Sequence, residues 1–290
     1  MKNRDVKKNW EWKLAALNIV GILYFVILSI SSLIINLFIT MPDAFGYDPQ
    51  LLFYSRASVV YIFIVLILNY LCLVYFKKHS YVSSAHSALP KFISQEPGGF
   101  QTCNRCALFC PPRAKHCPLC QHCVLKRDHH CFFGGCCVGF HNQRYFIVFC
   151  FYGIVGALYT TAVTFRYLSK YYVNVLSLQV YSYFLPFLLW NWTVGQVQAN
   201  IVAMVIYGFF CFFALCGCCY YFAFQCMLLV TGQTSYEYVK GITEYKRPLL
   251  VNIASVFGPF WFLNFIFPVP CLKSGEDGIN WREHLDLKNR

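Results

Sequence analysis

Charge is what this chain has least of. Among its 290 residues 12 are acidic and 24 are lysine or arginine, so 12% are charged, about half the share found in soluble domains. That shortage excludes an ordinary soluble globular protein. The sequence also lacks evident internal repeats, low-complexity tracts and recruiting modules of the ankyrin or SH3 kind. No small-residue cleavage site follows the first apolar run, which is too long for the core of a cleaved signal peptide. No ionisable residue lies in the middle of any long apolar run, which disfavours a transporter.

What fills the chain is apolar: 58% of residues are hydrophobic and 19% aromatic. Four uncharged runs, Leu14–Thr40, Ala57–Phe76, Tyr145–Phe165 and Ile201–Val230, reach the about 20 residues that a bilayer core requires. They predict an all-α polytopic membrane protein with four transmembrane helices, the lipid bilayer being its surroundings. Val180–Trp190 is shorter and interrupted by Pro186, so a lumenal interfacial or re-entrant piece is expected there. Val256–Val269, holding Pro259 and Pro268, is also too short to cross and is expected on the cytosolic face.

The net charge of +12 is distributed unevenly. Lys2, Arg4, Lys7, Lys8 and Lys13 precede the first run, whereas Asp43 and Asp48 follow it before Arg56. Basic residues return between the second and third runs and again after the fourth, so both termini and the 77–143 segment are expected in the cytosol. In that segment Pro90, Pro97, Gly98, Gly99, Pro111, Pro112 and Pro118 break any long helix. The chain therefore divides into 1–76 (N-terminus and helices 1 and 2), 77–143 (a small cytosolic domain), 144–230 (helices 3 and 4 with their lumenal connection) and 231–290 (a cytosolic tail).

Nine of the 17 cysteines lie between Cys103 and Cys137. Cytosolic thiols stay reduced, which favours metal binding or catalysis over a disulfide framework. Cys211, Cys216, Cys218, Cys219 and Cys226, in the fourth run, read as small packing residues. Cys103-x2-Cys106 and Cys117-x2-Cys120 are knuckles of the kind that supply two of the four ligands of a structural zinc. Each needs two more from His116, Cys123, His130 and Cys137. Eight ligands close two zinc sites, and the domain is expected to be short β-hairpins wrapped around metal rather than around an apolar core.

Two closed sites leave Cys131 without a metal, beside His129. A thiol reacts as its thiolate, and a neighbouring imidazole takes its proton. Asp128 is placed to orient that imidazole. The alternative, in which Cys131 or His129 is a spare ligand, stays open here. A reactive thiol at the edge of a membrane suits the transfer of fatty acyl groups to protein thiols. A zinc-stabilised scaffold is the rival reading, but it has no use for Asp128 and Cys131. A zinc-finger nucleic-acid binder is weaker still, because no long basic helix is present, and no nucleic acid is expected as a partner.

The array with Asp128-His129-His130-Cys131, continuing through His141-Asn142-Gln143-Arg144-Tyr145-Phe146, resembles the DHHC family of protein S-acyltransferases (palmitoyltransferases). Glu96-Pro97-Gly98, Thr234-Ser235-Tyr236-Glu237 and Asn252 ahead of Val256-Phe257-Gly258 are similar to that family's weaker motifs. The resemblance covers about residues 14–270. It implies one zinc on Cys103, Cys106, His116 and Cys123 and a second on Cys117, Cys120, His130 and Cys137. It further implies Cys131 as the acylated nucleophile, His129 as base, Asp128 as its orienting carboxylate and Ser235 as a support for Asp128. Asn252 would tie the C-terminal segment to the helices. An endomembrane location, Golgi or endoplasmic reticulum, is likewise implied by the resemblance.

Departures from the family pattern are Phe132-Phe133 after the nucleophile, Arg127 before Asp128, and Cys136, which competes with Cys137 as a ligand. Cys110 and His122 read as spare surface residues. The expected substrates are palmitoyl-CoA and membrane-associated proteins with cytosolic cysteines. Lys126, Arg127 and Arg144 are candidates for the CoA phosphates, although each equally reads as a positive-inside charge. A 16-carbon chain of about 20 Å matches roughly 13 helical residues, which brings its methyl end to Gly153, Gly156 and Ala157. The same small residues read equally as a close helix–helix contact.

Overall fold

The computed structural model describes residues 2–84, 99–271, 275–279 and 281, with the backbone alone for residues 2–11. The Glu96-Pro97-Gly98 motif lies outside the described residues. Four helices in them are long and apolar enough to cross a membrane: Trp12–Phe45, Pro49–Ser80, Gln143–Tyr171 and Ala199–Thr231. The first comprises α1 (Lys2–Ile35), a π-helical turn Asn36–Thr40 and α2 (Met41–Phe45). The second begins as α3 (Pro49–Tyr75), with proline in the first turn, where no amide hydrogen is needed. Asp48 Oδ1 accepts from the amides of Gln50 and Leu51 and caps that end.

The third spanning helix is α4 (Gln143–Tyr171). The connection after it holds α5 (Leu185–Thr193), nine residues long with Pro186 in its first turn, and no further crossing. α6 (Ala199–Thr231) is the fourth span. Beyond it come α7 (Ser235–Val239), α8 (Leu249–Phe257) and α9 (Leu263–Ile266), all too short to cross.

The chain packs as two compact units. One contains residues 26–66 and 150–222. Its core gathers Leu168, Tyr183, Leu188, Val205 and Cys211, and Asn36 donates to Thr160 Oγ1 at 2.8 Å to satisfy the polar π-turn. In this unit Gly153 and Gly156 are helix contacts. A Cβ on Gly153 would lie 2.7 Å from Cys218 Sγ, and one on Gly156 would lie 3.3 Å from Ile62, contacts that fit the close-packing reading of this patch. Cys211 is buried there, whereas Cys216 and Cys219 are exposed on the surface of α6.

The other unit contains residues 1–25, 67–149 and 223–290 and carries all the strands among the described residues. Three separate antiparallel hairpins are formed: β1 (Gln101–Cys103) with β2 (Leu108–Cys110), β3 (Lys115–Cys117) with β4 (His122–Val124), and β5 (His129–Cys131) with β6 (Cys136–Val138). Their registers coincide, and they begin at Gln101, Lys115 and His129, a constant step of 14 residues. The seventh residue of each, Ala107, Gln121 and Gly135, has φ of 52°, 58° and 56°. The expectation of no internal repeat is therefore corrected: the array is three copies of one ten-residue hairpin joined by four-residue connections. The repeat escapes sequence inspection because the first cysteine of the knuckle position (Cys103, Cys117, Cys131) is the one chemically distinctive residue common to all three copies.

Apolar support for the hairpins is small. Val82, Cys110, Ala114, Leu125, Phe140, Tyr245 and Trp281 form its principal cluster. Cys110 is buried there, not at the surface as its sequence context suggested; His122 is exposed and stacks on Tyr81 with ring centroids 4.4 Å apart.

Candidate active site

The repeat decides which side chains meet. In each hairpin the second residue of the first strand faces the second residue of the other strand across the ladder: Thr102 with Phe109, His116 with Cys123, His130 with Cys137. The knuckle of one hairpin and the facing pair of the next form a four-ligand set. Cys103, Cys106, His116 and Cys123 bring their ligand atoms within 4.8 Å of one another, and so do Cys117, Cys120, His130 and Cys137. Among the described residues no hairpin precedes the first, whose facing pair is Thr102 and Phe109. The third has no successor, and its knuckle is broken: Cys131 is followed three residues later by Gly134.

Both sets fit a metal ion. A tetrahedral zinc with about 2.3 Å to sulfur and 2.0–2.1 Å to imidazole nitrogen spaces its ligands by roughly 3.5–3.8 Å. His130 Nδ1 lies 3.4, 3.6 and 3.8 Å from the Sγ atoms of Cys120, Cys117 and Cys137, and Cys120 and Cys137 are 3.7 Å apart. In the other set His116 Nδ1 is 3.3 Å from Cys106 Sγ and 3.9 Å from Cys123 Sγ. His130 Nε2 lies 3.0 Å from Asn18 Oδ1; donating there fixes the tautomer that leaves Nδ1 for a metal. Three thiolates and one imidazole around Zn2+ leave a net charge of −1 by formal count. Arg127 lies against Cys137 and Cys117, whose thiolates hold its guanidinium charged despite partial burial. Cys137, rather than Cys136, belongs to the second set; Cys136 instead faces Cys131 across the β5–β6 ladder.

Strand alternation then separates two functions within three consecutive residues. Successive side chains of a strand point to opposite faces, so His130 of β5 turns to the metal set while His129 and Cys131 share the other face. Cys131 is 5% exposed. His129 Nδ1 lies 2.8 Å from Asp128 Oδ2, and its ring meets Phe146 edge to face at 4.8 Å. Asp128 is nearly fully buried, and both of its oxygens are engaged. Oδ1 accepts from Ser235 N and Ser235 Oγ, each at 2.6 Å; Oδ2 also accepts from Gln225 Nε2 at 2.6 Å. Burial opposes charge on Asp128, but hydrogen bonds from His129 and from the side chain and backbone of Ser235 hold it at about 2. Burial likewise opposes charge on His129, yet Asp128 and the neighbouring Cys131 raise it to about 9. Once His129 has taken a proton from Cys131, the resulting imidazolium therefore faces both the Asp128 carboxylate and the Cys131 thiolate.

Ser235 is brought to Asp128 by α7, whose start is doubly capped. Thr234 Oγ1 accepts from Glu237 N at 3.3 Å, and Thr234 N donates to Glu237 Oε2 at 2.8 Å. Glu237 is held in turn by a bidentate pair with Arg113: Nε to Oε1 at 2.8 Å and Nη2 to Oε2 at 2.7 Å, with Nη2 also donating to Gly232 O. Gly232 has φ of +69°, and a Cβ there would fall about 3 Å from the Asn252 amide and from Tyr245 O, so only glycine fits. Asn252 donates to Arg247 O at 3.0 Å. Both partners of the Arg113–Glu237 pair are almost wholly buried. Glu237→Ala is therefore expected to destabilise the folded protein by about 3–5 kcal/mol, because it strands a buried guanidinium. A thermal-unfolding midpoint in detergent equal to that of the parent protein would contradict this.

The cations read as phosphate ligands are placed otherwise. Lys126 is buried over the Trp281 ring at 5.7 Å; burial, with Arg113 and Arg247 nearby, lowers its ammonium to about 7. Arg144 is buried, donating to Tyr145 OH at 3.0 Å and to Pro270 O at 3.4 Å. Neither charge is presented at the surface, and Arg127 is drawn to the second metal set. Gly153 and Gly156 belong to the other compact unit. Reading the residues alone missed Gln225, Gln143 and Asn18. A glutamine within the otherwise apolar Ala223–Val230 stretch was the one available signal for Gln225.

Comparison with known proteins identifies the family. A family model described as DHHC palmitoyltransferase matches residues 96–242. The chain is similar to Palmitoyltransferase ZDHHC22 of Mus musculus, with 29% identity over 269 residues that cover 88% of this chain and 94% of the relative. It is similar to the Homo sapiens protein of that name at 27% over the same coverage. It is also similar to Probable palmitoyltransferase ZDHHC24 of Mus musculus, with 32% identity over 194 residues, 65% of this chain and 66% of the relative.

Proposed function

Because the chain belongs to the DHHC palmitoyltransferase family, we propose that Cys131, His129, Asp128 and Ser235 are the active centre of a protein-cysteine S-palmitoyltransferase. The observation that carries this assignment is the buried Asp128 carboxylate, bonded to His129 on the same strand face as Cys131. Transfer proceeds in two steps. His129 takes the Cys131 proton, and the thiolate sulfur attacks the thioester carbonyl carbon of the fatty acyl-CoA. The bond from that carbon to the CoA sulfur breaks, and CoA leaves with the proton returned by His129. In the second step His129 takes a proton from the substrate protein's cysteine. The new thiolate attacks the acyl carbon, and Cys131 leaves and is reprotonated. One thioester is exchanged for another, so no further energy source is required.

The imidazolium of His129 is stabilised by Asp128, which accepts four hydrogen bonds and so stays an acceptor throughout. Zinc on the two Cys3His sets would supply folding energy rather than reactivity, since each set closes four ligands and leaves no open position. The substrate proteins are proposed to be membrane-associated, with cysteines on the cytosolic side. Both termini are placed in the cytosol on the strength of the basic residues before the first span and after the fourth, and an endomembrane location follows from the family resemblance alone. Protease protection placing residues 240–290 in the lumen would overturn that orientation.

The direct test uses purified protein and alkyne-tagged palmitoyl-CoA. Hydroxylamine-sensitive label on the protein, passing on to an added cysteine-containing membrane protein, is expected. Metal-loaded protein that acquires no label would favour a catalytically silent scaffold.

A further inference from the structure

Gln225 is fully buried on α6 in an otherwise apolar stretch. A carboxamide in such a place is costly unless its polar atoms are paired. Both are: Oε1 accepts from Gln143 Nε2 at 3.1 Å, and Nε2 donates to Asp128 Oδ2 at 2.6 Å. These two contacts fix which end of the amide faces the carboxylate, since a flipped amide would set its NH2 against that of Gln143 and its oxygen against Asp128 Oδ2. Gln143 is the first residue of α4 and is itself buried.

We propose that Gln225 is a positioning residue for acyl transfer, acting through Asp128. Two donors from Ser235 converge on Oδ1 and fix one point of the carboxylate. Rotation about that point is stopped only by what holds Oδ2. His129 reads the position of Oδ2 through its Nδ1, so Gln225 sets the plane in which the imidazole addresses Cys131. Gln143 acts one step further out, by orienting the Gln225 amide. The inference rests on the proposed roles of Asp128, His129 and Cys131.

Gln225→Met tests it, because methionine keeps the volume and suits an apolar helix while removing the donor. Single-turnover autoacylation is expected to slow by about 10–100-fold, with the KM for palmitoyl-CoA and the zinc content unchanged. A packing role predicts the opposite pattern, with the rate retained. Gln143→Leu should slow the reaction by less, and adding it to Gln225→Met should cost nothing more, because the two act in series. A Gln225→Met rate within about twofold of the parent, or a double variant slowed by the product of the two single effects, would overturn the proposal. Asp128→Ala is measured alongside. If it stays active, the catalytic reading itself falls; if it is inactive while Gln225→Met is fully active, only the role of Gln225 falls.

Discussion

Cys131→Ser is expected to abolish hydroxylamine-sensitive autoacylation while zinc stays near two per chain. The substitution changes one atom at a position that belongs to neither four-ligand set, so metal binding and the hairpins should persist. A serine hydroxyl beside His129 is a far weaker nucleophile than a thiol, and removal of a nucleophile from a coupled set commonly costs on the order of 10³ or more in rate. Any oxygen ester formed would also resist hydroxylamine under conditions that cleave a thioester. The measurement pairs acyl labelling with metal analysis of the same preparation. Label that is undiminished in Cys131→Ser would move the nucleophile elsewhere, and Cys136, its cross-strand neighbour, would be examined first.

Cys117→Ala and His130→Ala are expected to remove folded protein as well as activity. Structural zinc contributes about 10–16 kcal/mol in small metal-folded domains, comparable to the about 5–15 kcal/mol by which whole domains are stable. The hairpins have little else to hold them: three-residue strands, small apolar clusters, and non-glycine residues Ala107, Arg113, Gln121 and Lys126 at positive φ that cost about 1–3 kcal/mol each. Zinc per chain should fall, and protease should cut within the 99–143 segment. Cys136→Ala is the counterpart, for which zinc is expected to stay at two. A ligand variant that keeps full metal and full activity would refute the eight-ligand scheme.

Much of this arrangement was legible from residues. Long uncharged runs gave the four spans because a bilayer tolerates no other composition over that length. The knuckles and histidines gave the hairpin domain because zinc geometry demands local cysteine pairs. The charged residues were harder to place. Lys126 and Arg144 read as surface cations, yet Trp281 and Pro270, more than a hundred residues further on, cover them. Sequence spacing carries no information about such distant neighbours. Gln225 escaped for a related reason: one amide in an apolar run signals that a partner is needed but not which one. The DHHC resemblance supplied what spacing did not, the pairing of each knuckle with the ligands of the next hairpin and the place of Ser235.

The 14-residue repeat has a consequence for where chemistry is possible at all. Each hairpin spends its facing pair on the knuckle behind it and offers its own knuckle forward, so a linear array always ends with one knuckle that nothing follows. In coordination terms that end has an unfilled valence. Here it is occupied by Cys131, whose would-be partner position is Gly134, where a Cβ would already press on Cys136 Sγ and Leu73 at 3.2 and 3.3 Å. The proposed nucleophile is thus the terminal group of a metal-binding polymer, free because the polymer stops.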